Sequence, residues 1–530
     1  MKGVHLLVCL MLVLLVIPIG QGAQVRISKN PASTSAVDWW PMVCHDPVHS
    51  GYSTSTIPAN VTLQWTNTTI GFMESSPSIV DGKVVVTTAD FTHWNGYVYC
   101  YDMKTGARLW MVTGNDEFFS SPTIVGDRVY ACTLNGNLFC LNFSTGEKFW
   151  SVKLGSHLLF ENSCPVIEDG HLFMCSYKDD GSYNGSIFCV NTVDGGVVWQ
   201  ISPGTNRDYS LAVEDGKIYG AGFQNQLSCF DASTGNQLWV CSGVVLSTQP
   251  SVSNGAVYAC TQDGRICCVV NGSVVWQYQA AANFILTNPV AFAYGKVYTG
   301  LYSPSMSYSD VVLCLDAATG DVVWSHPLEE KGGVGYMPAV ADGKLIVLSS
   351  YMYDYPPNFD RIIAVHCYNA TDGSPLWSVT VGAGKDCYAY NSPGIADRKV
   401  FVCTTENGES GDTWGGLYCL GGHVPYSSPT VEILKPVDGL YFHNRKIASM
   451  KSPVIIGSIG IEVNATDNQS GVNRVEFYID GNLTFTDTEA PYLWNWSGRT
   501  PLHWKHTIMV TAFNNAGNCT SKELDVRKYL

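Results

Sequence analysis

The sequence predicts an all-β chain: an eight-bladed β-propeller closed by an N-terminal strand, then an immunoglobulin-like β-sandwich. Three observations predict it. The first is one phrase, Ser-Pro-x-Ile/Val-x-Asp-Gly-x-Val-Tyr, a Gly-marked turn, x-Leu-x-Cys-Leu-Asp, x-Thr-Gly-x-x-x-Trp. It recurs up to residue 377 and ends on Trp110, Trp150, Trp199, Trp239, Trp276, Trp324 and Trp377, with Trp65 ahead of them and gaps of 37 to 53 residues. Such a period marks propeller blades or solenoid turns. The second is a mismatch at the ends. An eighth unit opens at Ser392-Pro393 and reaches Cys419-Leu420 without a closing tryptophan strand, while Thr62-Leu63-Gln64-Trp65 stands alone before the first unit. Pairing the two closes the ring and removes exposed strand edges. The third is that the repeat stops after Gly422.

Within a unit, four strands are readable, as in unit two. Residues 121–125 make a first strand, Gly126-Asp127 turns it, and 128–133 make a second with the β-formers Val129 and Tyr130. Asn135-Gly136 predicts a two-residue hairpin, and 137–142 and 147–150 make the third and fourth strands. Leu138-Phe139-Cys140-Leu141 is apolar on both faces, as a sheet between two neighbours requires. Residues 38–422 form this domain, 423–429 a linker, and 430–530 a single module of short strands at 430–434, 455–465, 472–479, 483–488, 506–513 and 523–527.

Eight cysteines, Cys100, Cys140, Cys189, Cys229, Cys268, Cys314, Cys367 and Cys419, share one third-strand position, so packing explains them. Strand-two cysteines are expected opposite Phe139 for Cys132 and opposite Cys267 for Cys260, leaving a bridge open in unit five but core thiols the plainer reading.

Asp316-Ala317-Ala318-Thr319-Gly320-x-x-x-Trp324, with Asp231 to Trp239 and Asp102 to Trp110, resembles the tryptophan-docking repeat of pyrroloquinoline-quinone (PQQ)-like propellers. The opener Asp38-Trp39-Trp40-Pro41-Met42-x-x-His45-Asp46 through Gly51-Tyr52-Ser53 resembles the first segment of secreted members. Residues 475–481, 491–496 and 508–518 resemble Ig-like modules of archaeal and bacterial surface proteins. The propeller resemblance implies either quinone-dependent dehydrogenases or cofactor-free scaffolds, since fold does not carry chemistry. Under the dehydrogenase reading, PQQ and calcium would draw on Glu74, Asn162, Arg207 and Asp208, which stand just before the Ser-Pro position of neighbouring units. The same mouth is expected to hold Phe118, Phe119, Glu161, Tyr209, Thr287, Tyr336, Tyr390 and Asn391. The adjacent pair Cys267-Cys268 invites a cofactor role but lies mid-strand. Longer second-to-third connections at 177–185, 351–361 and 404–416 offer aromatics and acids for protein or glycan recognition.

No phosphate loop, His-Glu-x-x-His or Gly-x-Ser-x-Gly motif occurs, and no cofactor is expected under the favoured non-catalytic reading. A net charge of −15, with 30 Lys and Arg thinly spread, repels nucleic acid. Lys2, an apolar run over residues 6–19 and Gly20-Gln21-Gly22-Ala23 read as a signal peptide over 1–22, implying secretion or a cell-surface location. Eleven Asn-x-Ser/Thr sites follow, at Asn60, Asn67, Asn142, Asn184, Asn271, Asn369, Asn464, Asn468, Asn482, Asn495 and Asn518, as glycosylation candidates. The expected role is a non-catalytic binding protein or envelope scaffold with a protein or glycan partner.

Overall fold

A computed structural model describes residues 37–530 except 156–157, 179–181, 183, 208, 283, 287, 304–309, 329–331, 335–336, 353–359, 390, 408–412, 423–427, 468–470, 499–503, 516–517 and 530. The signal-peptide segment lies outside the described residues. The chain divides into two compact units, Met1–Gly422 and His423–Leu530.

In the first unit, the first six repeats are antiparallel four-stranded sheets. Repeat two is made of Thr123–Val125, Arg128–Cys132, Asn137–Asn142 and Lys148–Lys153. Repeats seven and eight share one ten-stranded sheet, because Pro375–Tyr388 runs on to pair with Lys399–Asn407 at Lys385 and Tyr388. The first strands touch in a closed series: Ser78–Val80, Thr123–Val125, Val166–Glu168, Ala212–Glu214, Ser251–Ser253, Ala291–Ala293, Ala339–Ala341 and Gly394–Ala396, the last returning to the first. The isolated N-terminal strand Thr62–Ile70 pairs antiparallel with Thr413–Gly421, setting Trp65 opposite Cys419. The shared third-strand cysteines from Cys100 to Cys419 are all buried, each opposite the tryptophan of its fourth strand.

Two register expectations are corrected. Cys132 faces Leu138, not Phe139, and Cys260 faces Ile266, while Cys267 faces Ala259. The connection is one residue longer than the expected two-residue hairpin. Thr133 N donates to Asn137 O, Thr261 N donates to Arg265 O, and Gly136 and Gly264 take the left-handed conformation at φ 82° and 79°. Three-residue connections of this kind shift the pairing by one. The 404–416 and 351–361 stretches are also less loop than expected: Glu406 and Trp414 are paired strand residues, and Lys344–Met352 pairs with Asp360–Asn369.

In the second unit a three-stranded sheet, ordered Thr430–Lys435, Ile459–Thr466, Tyr492–Trp496, accompanies a seven-stranded one. Ile461, Val475, Phe477, Trp496, Ile508 and Val510 make its core. The expected strand 455–465 is split at Gly457, whose φ is 85°. Gly439–Phe442, Arg445–Ala448 and Tyr492–Trp496 are strands the sequence pattern did not give, each too short to carry a period.

Candidate functional site at the channel mouth

The repeat phrase explains how the ring is held. The turn between the third and fourth strands of each of the first seven repeats puts a left-handed glycine against the tryptophan that precedes that repeat, so a Cβ on Gly146 would lie 2.9 Å from Trp110 and one on Gly320 2.5 Å from Trp276. Trp65 docks likewise on Gly106 of repeat one. The indole N–H groups of Trp65, Trp110, Trp199, Trp276 and Trp324 donate to carbonyls of the next repeat at 2.9–3.3 Å. Trp150 and Trp377 have unpartnered Nε1 groups; for Trp377, repeat eight has no Thr-Gly turn to receive it.

Nearer the axis, the serines of Ser-Pro form a second stitch. Ser392 N donates to Ser76 Oγ (2.9 Å), Ser76 N to Ser121 Oγ (2.8 Å), Ser121 N to Cys164 Sγ (3.2 Å) and Cys164 N to Ser210 Oγ (2.9 Å). The hydroxyls two residues on repeat the device: Ser78 donates to Pro122 O and Thr123 to Pro165 O. This belt was missed from sequence, although the recurring Ser-Pro was its visible signal.

The opener threads the ring. First-strand N–H groups of Ile79, Ile124, Val213, Val252, Phe292 and Val340 donate to the carbonyls of Trp40, Pro41, Pro47, Val48, Ser50 and Gly51 at 2.6–2.8 Å. Tyr52–Ser53 then adds in parallel to Ala339–Ala341. His45 and His49 are held by hydrogen bonds within the protein. His45 sits between Asp38 (Nε2 to Oδ1, 3.3 Å) and Asp46 (Nδ1 to Oδ2, 3.3 Å). Burial works to lower its pKa, but the two carboxylates outweigh that and hold it at about 9. Burial works to raise the Asp38 pKa, and His45 with Thr54 overrides it, to about 2. Buried His49, with Nδ1 3.2 Å from Pro250 O, is pushed down to about 4.

Above this segment lies a cavity of about 620 Å³, walled by Glu74, Ser76, Phe119, Glu161, Asn162, Arg207, Tyr209, Thr248, Gln249, Gln262, Ile285, Asn391 and others, with Val43 of the opener closing one side. Burial, aided by the charge of Glu161, pushes the Glu74 carboxyl up to about 7. Tyr177 Oη donates to Glu161 Oε2 at 2.9 Å. The exposed Arg207 lies 5.8 Å from the Tyr209 ring. Phe119 continues into an aromatic ledge, 5.5 Å from Phe91, which is 4.9 Å from Phe72.

Of the mouth candidates, Glu74, Phe119, Glu161, Asn162, Arg207, Tyr209 and Asn391 are brought together. Phe118 is not: it is buried against Phe139 between repeats one and two, because Gly96 and Gly114 leave room for its ring. Asp208, Thr287, Tyr336 and Tyr390 lie outside the described residues. Cys267 and Cys268 are buried mid-strand, away from the cavity wall. Gln249, Gln262 and Ile285 were missed, since no repeat position marks them. Among the described residues no group of three or more His, Cys, Asp or Glu side chains is placed to hold a metal ion. Of the glycosylation candidates, Asn60, Asn184, Asn271, Asn464, Asn482 and Asn495 are exposed. Asn142, Asn369 and Asn518 are half-buried, and Asn468 lies outside the described residues. Asn67 Nδ2 is committed to Gly106 O at 2.6 Å.

Docking tryptophans, inter-repeat stitches and a polar axial mouth define a PQQ-type β-propeller. Residues 94–184, 183–307, 271–356 and 308–412 match the family described as outer membrane protein assembly factor BamB, and the chain belongs to that family. Residues 429–510 match the bacterial Ig domain. No curated protein matches the chain. Solved structures share the fold. A europium-containing methanol dehydrogenase is 13% identical with a TM-score of 0.58, over 73% of this chain and 98% of its own. The quinohemoprotein alcohol dehydrogenase of Comamonas testosteroni is 14% identical with a TM-score of 0.58, over 76% and 83%. BamB of Moraxella catarrhalis is 15% identical with a TM-score of 0.51, over 68% and 100%. No helix among the described residues is long and apolar enough to cross a membrane.

Proposed function

We propose that this chain is a non-catalytic binding protein of the cell surface or envelope, in which the propeller is a rigid platform and the Ig-like unit a spacer or adhesive module. The observation that carries the reading is the polar pocket: segments of successive repeats converge on a mouth that Val43 of the opener also lines. A stitched ring with a preformed concave mouth is suited to recognition. The similarity to BamB of Moraxella catarrhalis supports a protein partner, and the exposed Asn-x-Ser/Thr sites support an extracellular setting.

PQQ is a polycarboxylate, and the described wall offers one guanidinium, at the exposed rim, against the carboxyls of Glu74 and Glu161. That balance does not fit an anionic quinone, so no step is derived through one. The observation that keeps a dehydrogenase as the second reading is Glu74, whose pKa of about 7 suits a general base. Incubation with PQQ and calcium separates the two. The platform reading expects no quinone absorbance and no dye reduction with alcohols or sugars, together with specific capture from envelope extract or on a glycan array; quinone-dependent turnover would overturn it.

A further inference from the structure

The cavity wall contains an imbalance of hydrogen-bonding groups that identifies a ligand chemistry. Several of its donors are spent inside the protein, while Ser247 Oγ has no partner. Ser210 Oγ donates to Asn162 O (3.0 Å), Thr248 Oγ1 to Gln249 O (3.3 Å) and Gln249 Nε2 to Cys44 Sγ (3.8 Å). Its acceptors are not. Gln262 donates through Nε2 to Leu246 O, leaving its carbonyl oxygen, and Glu161 receives Tyr177 on one oxygen only. Asn391, 2% exposed, donates through Nδ2 to Cys403 O and Met73 O, and its Oδ1 meets no partner. Glu74 and Glu161 both line the cavity, and neither belongs to an ion pair found among the described residues.

We propose that this mouth is a receptor for an organic cation, an ammonium or guanidinium group held between the carboxyls of Glu74 and Glu161 and the rings of Phe119 and Tyr209. The proposal rests on the binding-platform reading and names the ligand chemistry for it. Ammonium and guanidinium groups are donor-only, which complements the carboxyls of Glu74 and Glu161 and the unpartnered Asn391 Oδ1. Two carboxyls in one pocket oppose each other's ionisation, and a cation between them removes that opposition. Phe119 and Tyr209 add aromatic faces, and Arg207 beside Tyr209 already shows a guanidinium within cation–π range at the rim. The net charge of −15 steers cations toward the molecule.

Isothermal titration of the chelator-treated full chain tests this with cadaverine, N-acetyl-lysine methylamide, maltotriose and calcium chloride as separate probes. Cadaverine or the lysine derivative is expected to bind one to one; preference for the second points to a partner's lysine side chain, preference for the first to a free amine. Glu74→Gln and Glu161→Gln, each checked for an unchanged Tm, should weaken binding about tenfold through loss of a charged hydrogen-bond partner. Phe119→Leu should weaken it about threefold. The proposal is overturned if neither amine binds, if Glu74→Gln binds as well as wild type, if maltotriose binds as tightly, or if calcium displaces the amine from the same carboxyls at lower concentration. Failure of the amines while an envelope partner is still retained removes this proposal alone, whereas quinone-dependent dye reduction removes the platform reading.

Discussion

At the scale of single residues, identical glycines carry different burdens. Gly320 and Gly343 both hold positive φ, at 78° and 67°, but an added Cβ at Gly320 meets the Trp276 ring, whereas at Gly343 nothing lies within 4 Å. Gly343→Ala should cost about 1 kcal/mol, the left-handed penalty alone. Gly320→Ala should cost about 2–4 kcal/mol, because overpacking of the docked ring adds to it. Paired urea melts check the difference. His45 supplies a pH signature. Its pKa is raised to about 9, so the stability from its carboxylate clamp is fully present below about 6.5 and is lost as pH rises through 9. Asp38 is depressed to about 2, so its share is present above about 4 and is lost only as pH falls toward 2. His45→Gln should therefore lower stability by on the order of 2 kcal/mol at pH 6 and by almost nothing at pH 10. Equal losses at both values would show that the charge plays no part.

At the scale of elements, Thr62–Ile70 is the strand on which closure depends. Without it, Thr413–Gly421 presents an open edge and Gly106 loses the Trp65 ring. A chain whose residues 62–70 are replaced by a Gly-Ser linker should elute as oligomers in size-exclusion chromatography, since free edges recruit other chains. A peptide of residues 60–72 added during refolding should restore the monomer. A monomeric linker variant without the peptide would show that the strand is dispensable. This element was legible because a missing fourth strand and a surplus one are complementary facts about a single chain. The hairpin registers were less legible: Asn135-Gly136 suits a two-residue turn, and only the Thr133 to Asn137 backbone bond shows that the connection holds three. The opener was legible as a distinct first segment, but not as a thread through the ring. Its six carbonyls act through the backbone, which leaves no side-chain pattern to read.

At the scale of the whole molecule, the cysteines distinguish a propeller built from packed thiols from one held by bridges. Burial pushes Cys100, Cys229, Cys268, Cys314, Cys367 and Cys419 up to about 12, while among the described residues Cys519 alone is exposed. Reaction with an aromatic disulfide reagent should titrate about one thiol in the native protein and the remainder only in denaturant, because thiol reactivity follows thiolate fraction and access. Substoichiometric thiol after denaturation would reveal bridges. By itself the sequence determined the repeat, the all-β class, the closing strand and the burial of one cysteine per unit, because each is a local pattern that recurs and periodicity survives without coordinates. Only the tertiary structure decided that the opener bonds to the first strands of six repeats, that Phe118 turns into the core while Phe119 faces the mouth, and that Glu74 and Glu161 share one pocket. Those outcomes depend on how residues far apart in the chain meet across the ring, and no spacing along a single strand encodes such a meeting.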